Sequence, residues 1–406
     1  MKIKTKIISL VLLLSILSLS LSSCVFFDTV SEISGTNNSN SANPSVKIDE
    51  VKNYDITIEG SGAGSEVAAA KALLSAVSIK TDTASGSGVI FKLSDDKTEA
   101  YILTNYHVIY DSKTHAVSKN IKAYLYGMES HLYGDDSLNY AMDAQYVGGT
   151  VNYDLAVLKI KNSKVLMESN VRACDFADSN NVQILETAIA VGNAVSGGIS
   201  VTMGKVNVDS EDIQLLAADD KTVISIRVMR TDAAVNPGNS GGGLFNASGE
   251  LIGIVNAKSA DVDMDNIGFA IPSNVAKYIA QNILYYCDGT SHTSAFRCML
   301  GINVQIAELY TEYDEETGVL HRKERVEVLS IPSETSAAKD ILMEGDVINS
   351  ITIDGKVYEV TRMFHVVDAM LNARATSNVK INVTRGTQEL ELDIPLDNGD
   401  IIDADS

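Results

Sequence analysis

The 406-residue sequence contains no tryptophan, and aromatic residues make up only 6% of it. Its core must therefore be filled by Ile, Val, Leu and Ala, which a hydrophobic content of 45% allows. Basic residues are also scarce: 32 Lys and Arg stand against 53 Asp and Glu, a formal net charge of −21. Phosphate backbones repel such a chain, which argues against nucleic acid as a partner. Besides Cys24 there are three cysteines, Cys174, Cys287 and Cys298. An odd set cannot pair fully, so no disulfide framework is implied, although a single Cys287–Cys298 bridge stays open. No cysteine spacing suits a metal and no H-E-x-x-H occurs, so the reading calls for no metal and no cofactor.

What is present begins with a targeting segment. "MKIKTKIISLVLLLSILSLSLSSC" carries Lys2, Lys4 and Lys6, then an apolar run, then small residues. These are the three regions of a signal peptide. It closes on "LSSC", which resembles a bacterial lipobox and implies cleavage before Cys24 and lipid on that cysteine, anchoring the protein to a membrane. Residues 31–45, "SEISGTNNSNSANPS", are Ser- and Asn-rich with no apolar period and read as a flexible tether.

From about residue 65 the pattern changes to short β-rich runs divided by turns, such as "GSGVIFKL", "AYILTNY", "DLAVLKI", "TAIAVGN", "VISIRVM" and "GELIGIVNA". Many short strands with turn signals predict an all-β barrel or sandwich. "VAKYIAQNILYY" is the exception, with apolar residues at helical spacing, and predicts a closing helix. After about residue 297 the order of strands and two predicted helices, "SAAKDIL" and "TRMFHVVDAMLNAR", suits a small α+β unit. In the second, Met363, Val366, Val367, Met370 and Leu371 fall on one stripe, and His365 reads as a surface histidine. The expected division is a leader (1–23), a tether (24–64), a mainly β unit (65–286), a linker (287–297), an α+β unit (298–398) and an acidic tail (399–406).

The chemistry centres on "VNPGNSGGGL". "GNSGG" matches the G-x-S-x-G elbow of α/β-hydrolases by spelling, but an elbow needs a following helix. Here "LFNASGELIGIVNA" predicts strand, turn, strand, and every histidine after Ser240 lies in the linker or the last unit. The order His, Asp, Ser fits instead. "YILTNYHVI" delivers His107 just past an apolar strand, and "NYDLAVLKI" sets Asp154 at the mouth of another. A serine hydroxyl is a weak nucleophile and needs a base. An imidazole titrates near neutrality and can take and return the proton, while a carboxylate fixes its tautomer. The amides around Gly238, Asn239 and Ser240 would form an oxyanion hole, with glycine supplying the positive φ such a turn needs.

In order and spacing, "GSGVIF", "TNYHVI", "NYDLAVLKI", "TDAAVNPGNSGGGL", "GELIGI" and "IGFAIPSN" resemble the HtrA/Deg trypsin-like serine proteases. "MLGINV" and "ILMEGDVINSITIDGK" resemble the PDZ domain that follows in that family. The resemblance implies a mainly β fold, a trypsin-like double β-barrel followed by a small α+β PDZ domain. It implies His107 as general base, Asp154 as its orienter and Ser240 as nucleophile, ATP-independent cleavage of unfolded or misfolded proteins, and assembly into homotrimers. Leu300, Gly301 and Ile302 would form the loop that receives peptide C-termini. Ala234, Asn256, Ala257, Ile267 and Phe269 are candidate walls of a small apolar substrate pocket, with barrel core as the alternative. Gly243 and Ala194 depart from frequent family residues without removing a catalytic group. The acidic stretch 204–230 lies in the family's activation region and reads most simply as a solvated loop. The competing functional reading is a catalytically quiet, PDZ-based binding protein on the same scaffold.

Overall fold

The computed structural model describes residues 64–128, 140–194, 197–257, 267–332 and 336–405. The leader, Cys24 and the tether lie outside the described residues.

A helix α1 (Gly64–Leu73) buries Ala68 and Ala72 and leads into the first barrel. Six strands close this barrel in the order β1-β2-β3-β6-β5-β4: β1 (Ala76–Lys80), β2 (Ser85–Leu93), β3 (Ala100–Thr104), β4 (Lys122–Leu125), β5 (Met142–Thr150) and β6 (Leu155–Ile160). The alternation of "AYILT" and the apolar run of "LAVLKI" suit strands buried on one or both faces. Every pairing is antiparallel; Leu103 faces Val89 on one side and Val157 on the other.

The second barrel closes in the order β8-β9-β12-β11-β10-β7, from β7 (Thr187–Gly192), β8 (Ser200–Leu216), β9 (Val223–Thr231), β10 (Gly243–Phe245), β11 (Leu251–Val255) and β12 (Gly268–Pro272). In the absence of tryptophan, Phe245 is among the largest wholly buried side chains. It joins Leu103, Leu155, Ile189 and Val191 in a cluster that spans both barrels and holds them face to face. Helix α2 (Ser273–Tyr286) packs Val275, Ile279 and Ile283 into the same cluster, as its apolar period predicts.

Beyond α2 the chain adds β13 (Phe296–Cys298), a hairpin of β14 (Asn303–Asp314) and β15 (Val319–Ser330), then β16 (Val347–Ile353), β17 (Lys356–Glu359), α3 (Phe364–Met370), β18 (Val379–Arg385), β19 (Gln388–Ile394) and β20 (Ile401–Asp403). The sheet order is β14-β15-β16-β18-β19, with β17 on β16, and β20 pairs with β13. This unit has its own core of Val326, Ile348, Ile351, Val366, Ile381 and Val383.

Three expectations change here, and one open alternative closes. "SAAKDIL" forms turns, not a helix. Cys174, Cys287 and Cys298 are all free thiols, so no Cys287–Cys298 bridge exists. The stretch 204–230 is not a solvated loop: β8 alone runs for 17 residues, pairing with β7 over residues 200–205 and with β9 from Val206 to Leu216. Its acids are used. Glu211 binds Arg230, its Oε1 accepting from Nε at 2.7 Å, and Asp209 accepts from Arg362 Nη1 at 2.9 Å. Finally, α3 is docked against this hairpin. Arg227 on β9 pairs with Asp368 on α3 and lies 3.9 Å from the Phe364 ring centre.

His365, expected on the surface, is buried to 8% exposure. Its Nδ1 accepts from the Thr361 amide at 3.2 Å, which suits the neutral ring. Burial, with Arg227 and Arg362 nearby, pushes its pKa down to about 4. Asp368 is pushed up to about 6, chiefly by burial and against the pull of Arg227. The two act in opposite directions. His365 stabilises the fold fully above its ordinary value near 6.5, and that contribution is lost as pH falls toward 4. Asp368 withdraws stability as pH rises from its ordinary value of 3.8 to about 6. His365→Gln should therefore lose less stability than wild type between pH 7 and pH 4, by on the order of 3 kcal/mol. Urea unfolding midpoints at the two pH values measure this difference.

Candidate active site

The three candidate residues come from three tertiary environments. His107 sits in a helical turn, Tyr106–Ile109, directly after β3. Asp154 ends the turn between β5 and β6, with φ of 49°. That left-handed conformation is one that Asp and Asn tolerate better than most residues. Ser240 lies between β9 and β10, across the barrel interface.

The first two are in direct contact. His107 Nδ1 is 2.7 Å from Asp154 Oδ2, and the His107 amide donates to Asp154 Oδ1 at 3.0 Å. Asn256 Nδ2 donates to the same Oδ2 at 2.8 Å. Asp154 is 2% exposed, so its charge is held by these donors and not by water. Its backbone is fixed as well, since Asp154 O accepts from Tyr106 N at 3.1 Å and from Asn105 Nδ2 at 2.9 Å. The carboxylate is thus placed to keep a proton on Nδ1 and leave Nε2 free to act as a base.

The nucleophile loop is fastened to the first barrel through Ser87 on β2. Ser87 N donates to Ser240 O at 2.9 Å, and Ser87 Oγ donates to Gly238 O at 2.7 Å. The same Oγ accepts from Asn193 N at 2.7 Å. Gly238 has φ of 98° and Gly241 φ of 82°, both in the region where glycine is favoured. A Cβ on Gly241 would lie 2.2 Å from Ser87 O, so the close approach of the two barrels also demands glycine there. The Asn239 amide is committed to Asn236 O at 2.9 Å. The amides of Gly238 and Ser240 have no acceptor among the described residues, so both are available to a ligand.

Ser240 Oγ accepts from the Ala257 amide at 3.2 Å. Among the described residues it makes no hydrogen bond to His107. Both side chains nevertheless line one cleft of about 560 Å³, together with Pro237, Gly238, Ala257, Lys113 and the hairpin-tip residues Ala218 and Asp220. No rival nucleophile appears among the described cysteines. Burial pushes the Cys174 thiol up to about 12, and those of Cys287 and Cys298 up to about 11, so all three stay protonated at neutral pH.

The candidate pocket walls separate. Asn256 turns onto Asp154, a role its position in the sequence does not reveal, and its amide donates to Phe269 O at 2.8 Å. Ala257 reaches Ser240. Phe269 packs against the cluster between the barrels. Ala234 is exposed, its carbonyl accepting from Thr202 at 2.8 Å, and Ile267 is half-buried on the approach to β12. Ala234, Ile267 and Phe269 do not line the cleft that holds His107 and Ser240. Asp232, the other acid near the nucleophile, accepts from Lys205 N and so belongs to the β8–β9 hairpin.

In the C-terminal unit Leu300 is buried and Gly301 has φ of 68°. Leu300 O accepts from Ser336 Oγ at 2.6 Å, which pins the loop. The amides of Leu300, Gly301 and Ile302 have no acceptor among the described residues. They lead directly into β14, an edge strand of its sheet.

Residues 86–254 match the trypsin-like peptidase domain family. A Do-like HtrA serine protease of Bacillus subtilis is 32% identical over 324 residues, 78% of this chain and 64% of that protein. A Do-like HtrA serine protease of Lactococcus lactis is 31% identical over 320 residues, 77% of this chain and 70% of that protein. Among solved structures, the HtrA-type protease AlgW with a tripeptide is 28% identical, covers 82% of this chain and 96% of its own, and superposes with a TM-score of 0.51. The chain spans less than two thirds of the length of the Bacillus relative.

Proposed function

Because this chain belongs to the Do-like HtrA family of trypsin-like serine proteases, we propose that it is an ATP-independent serine endopeptidase of exposed or misfolded protein segments. The observation that carries this reading is the buried Asp154 holding His107 beside a cleft shared with Ser240, with the amides of Gly238 and Ser240 unengaged among the described residues.

The steps follow from those groups. Ser240 Oγ leaves the Ala257 amide and turns to His107 Nε2. His107 takes the hydroxyl proton as Oγ attacks the substrate carbonyl. The amides of Gly238 and Ser240 hold the developing oxyanion, while Asp154 stabilises the imidazolium. The imidazolium then protonates the leaving amine, giving an acyl-enzyme. Water, activated by the same imidazole, releases the product and restores Ser240.

In this proposal the C-terminal unit is a PDZ domain. A peptide C-terminal carboxylate would bind the amides of Leu300, Gly301 and Ile302, and the peptide would add as a strand beside β14. The leader and Cys24 would place the protein outside the cytoplasm on a lipid anchor, and a homotrimer would be its working form.

The second reading, a quiet binding protein, is favoured by one observation: Ser240 rests on the Ala257 amide and not on His107. Fluorophosphonate labelling separates the two. A protease labels on Ser240 and degrades an unfolded protein, faster with C-terminal peptides present. Absence of both labelling and turnover under all these conditions decides for the binding protein.

A further inference from the structure

The turn between β5 and β6 has an unusual task. It must hold Asp154 in the left-handed region, a conformation that persists only where the surroundings over-determine it. Within the site, Asp154 N donates to Val151 O at 3.1 Å, and Tyr106 and Asn105 bind its carbonyl. The outer side of the turn is held by residues more than 250 positions later. Asp405 Oδ1 accepts from Thr150 Oγ1 at 2.5 Å and from Asn152 N at 2.9 Å, and Oδ2 accepts from Val151 N at 3.0 Å. Asn152 Nδ2 adds a bond to Ala404 O at 3.2 Å.

The segment that carries Asp405 is itself anchored. Ala404 is 1% exposed within the cluster between the barrels, and its amide donates to Ala295 O at 2.8 Å. Strand β20 pairs with β13, Ile402 opposite Arg297. Residues of the linker grip the same turn from one position earlier: Gly149 N donates to Thr293 O at 2.8 Å, and Ala295 N to Gly149 O at 3.0 Å. The stretch set apart as an acidic tail is therefore a strap, and its last described carboxylate gathers three donors from one turn.

We propose that Asp405 is a positioning residue for the catalytic carboxylate. By gathering the donors of Thr150, Val151 and Asn152, it fixes the turn whose next residues end in Asp154, and so sets Asp154 against His107. A carboxylate suits the task because it only accepts, and charge-assisted bonds are about twice as strong as neutral ones. An amide in its place would turn an NH2 toward one of these donors. The strap continues from β19, so the C-terminal unit has a covalent route to the catalytic acid besides the α3 contact with the β8–β9 hairpin. The kinetic part of the test rests on the endopeptidase reading, and the exchange part does not.

The full chain with Asp405→Asn should lose about tenfold in kcat on an unfolded protein, counted per folded molecule, with KM within twofold of wild type. Fluorophosphonate labelling of Ser240 should slow by a similar factor. Asp393→Asn, on an exposed position of β19, should match wild type in both. Independently of activity, Asp405→Asn should speed hydrogen exchange at the amides of Tyr106 and His107, which donate to Asp154, by about tenfold relative to Asp393→Asn. Unchanged exchange at Tyr106 and His107 overturns the proposal, whether or not the wild type cleaves anything. So does a kcat within twofold of wild type in an active enzyme, or a loss that disappears when only folded molecules are counted. Failure of the wild type to label overturns the endopeptidase reading alone, and the exchange result still decides on Asp405.

Discussion

Ser240→Ala should lower kcat on a protein substrate by about six orders of magnitude and abolish the fluorophosphonate adduct. The hydroxyl is the only group removed, and in the proposed mechanism it forms the acyl bond. The loop itself should survive. Its attachments to the first barrel run through backbone oxygens, Ser240 O to Ser87 N and Gly238 O to Ser87 Oγ, and neither involves the hydroxyl. Among the described residues, the bond lost is that from the Ala257 amide to Oγ. Leaving that amide unpaired costs about 1–2 kcal/mol, so the variant should remain folded with a modestly lower melting temperature. KM should change little. A residual rate above the uncatalysed one should persist, because the proposed oxyanion donors, the amides of Gly238 and Ser240, are untouched. Single-turnover cleavage of an unfolded protein, read beside a thermal melt, checks both parts. Retention of more than about a hundredth of wild-type kcat would place the nucleophile elsewhere.

Asp154→Asn should cost about four orders of magnitude in kcat while leaving the fold intact. Asparagine has nearly the same shape and tolerates the φ of 49° found here, whereas alanine would add backbone strain to the chemical loss. The damage comes from proton inventory. Asp154 accepts from His107 N, from His107 Nδ1 and from Asn256 Nδ2. An amide can accept at one oxygen only. If its NH2 occupies the Oδ2 position, it meets two donors, and relief comes from the imidazole moving its proton to Nε2. That tautomer cannot accept the proton of Ser240. Asn256→Ala removes one donor and keeps the charge, so its loss should be nearer tenfold. Steady-state kinetics of the two variants test the ordering. Equal losses would mean that Asn256, not the carboxylate charge, orients the ring.

Much of the candidate site was legible because its signals are local. A histidine just past an apolar strand, an aspartate at the mouth of another and a serine among glycines in that order do not depend on how the barrels close. The downstream "LFNASGELIGIVNA" already argued for strand, turn and strand, and β10 and β11 follow that pattern. Asn256 was noticed for the wrong property. Near the nucleophile it looked like a pocket wall, but the strand pairing of Val255 with Ala270 turns the next side chain toward Asp154. The run "GSGVIFKL" was legible as a strand, but nothing in it marked Ser87 as the contact to the nucleophile loop, which exists only once the second barrel is packed against it.

The acidic stretch 204–230 was misjudged because charge density was taken as a mark of solvent. Its carboxylates instead meet Arg230 and Arg362, the latter from a unit about 150 positions away. His365 was misjudged for the same reason: a helix stripe tells which side faces its own core, not whether a second body covers the other side.

The sequence by itself determined the strand-rich architecture, the order of the candidate catalytic groups and the glycines that their turns require, because hydrophobic period, turn chemistry and residue type are properties of short segments. Tertiary structure alone decided which donors surround Asp154, that Ser87 joins the barrels, that α3 is covered by the β8–β9 hairpin, and that Asp405 holds the turn of residues 150–152. Each of these is a contact between segments far apart in the chain, formed only when the barrels and the strap close on one another.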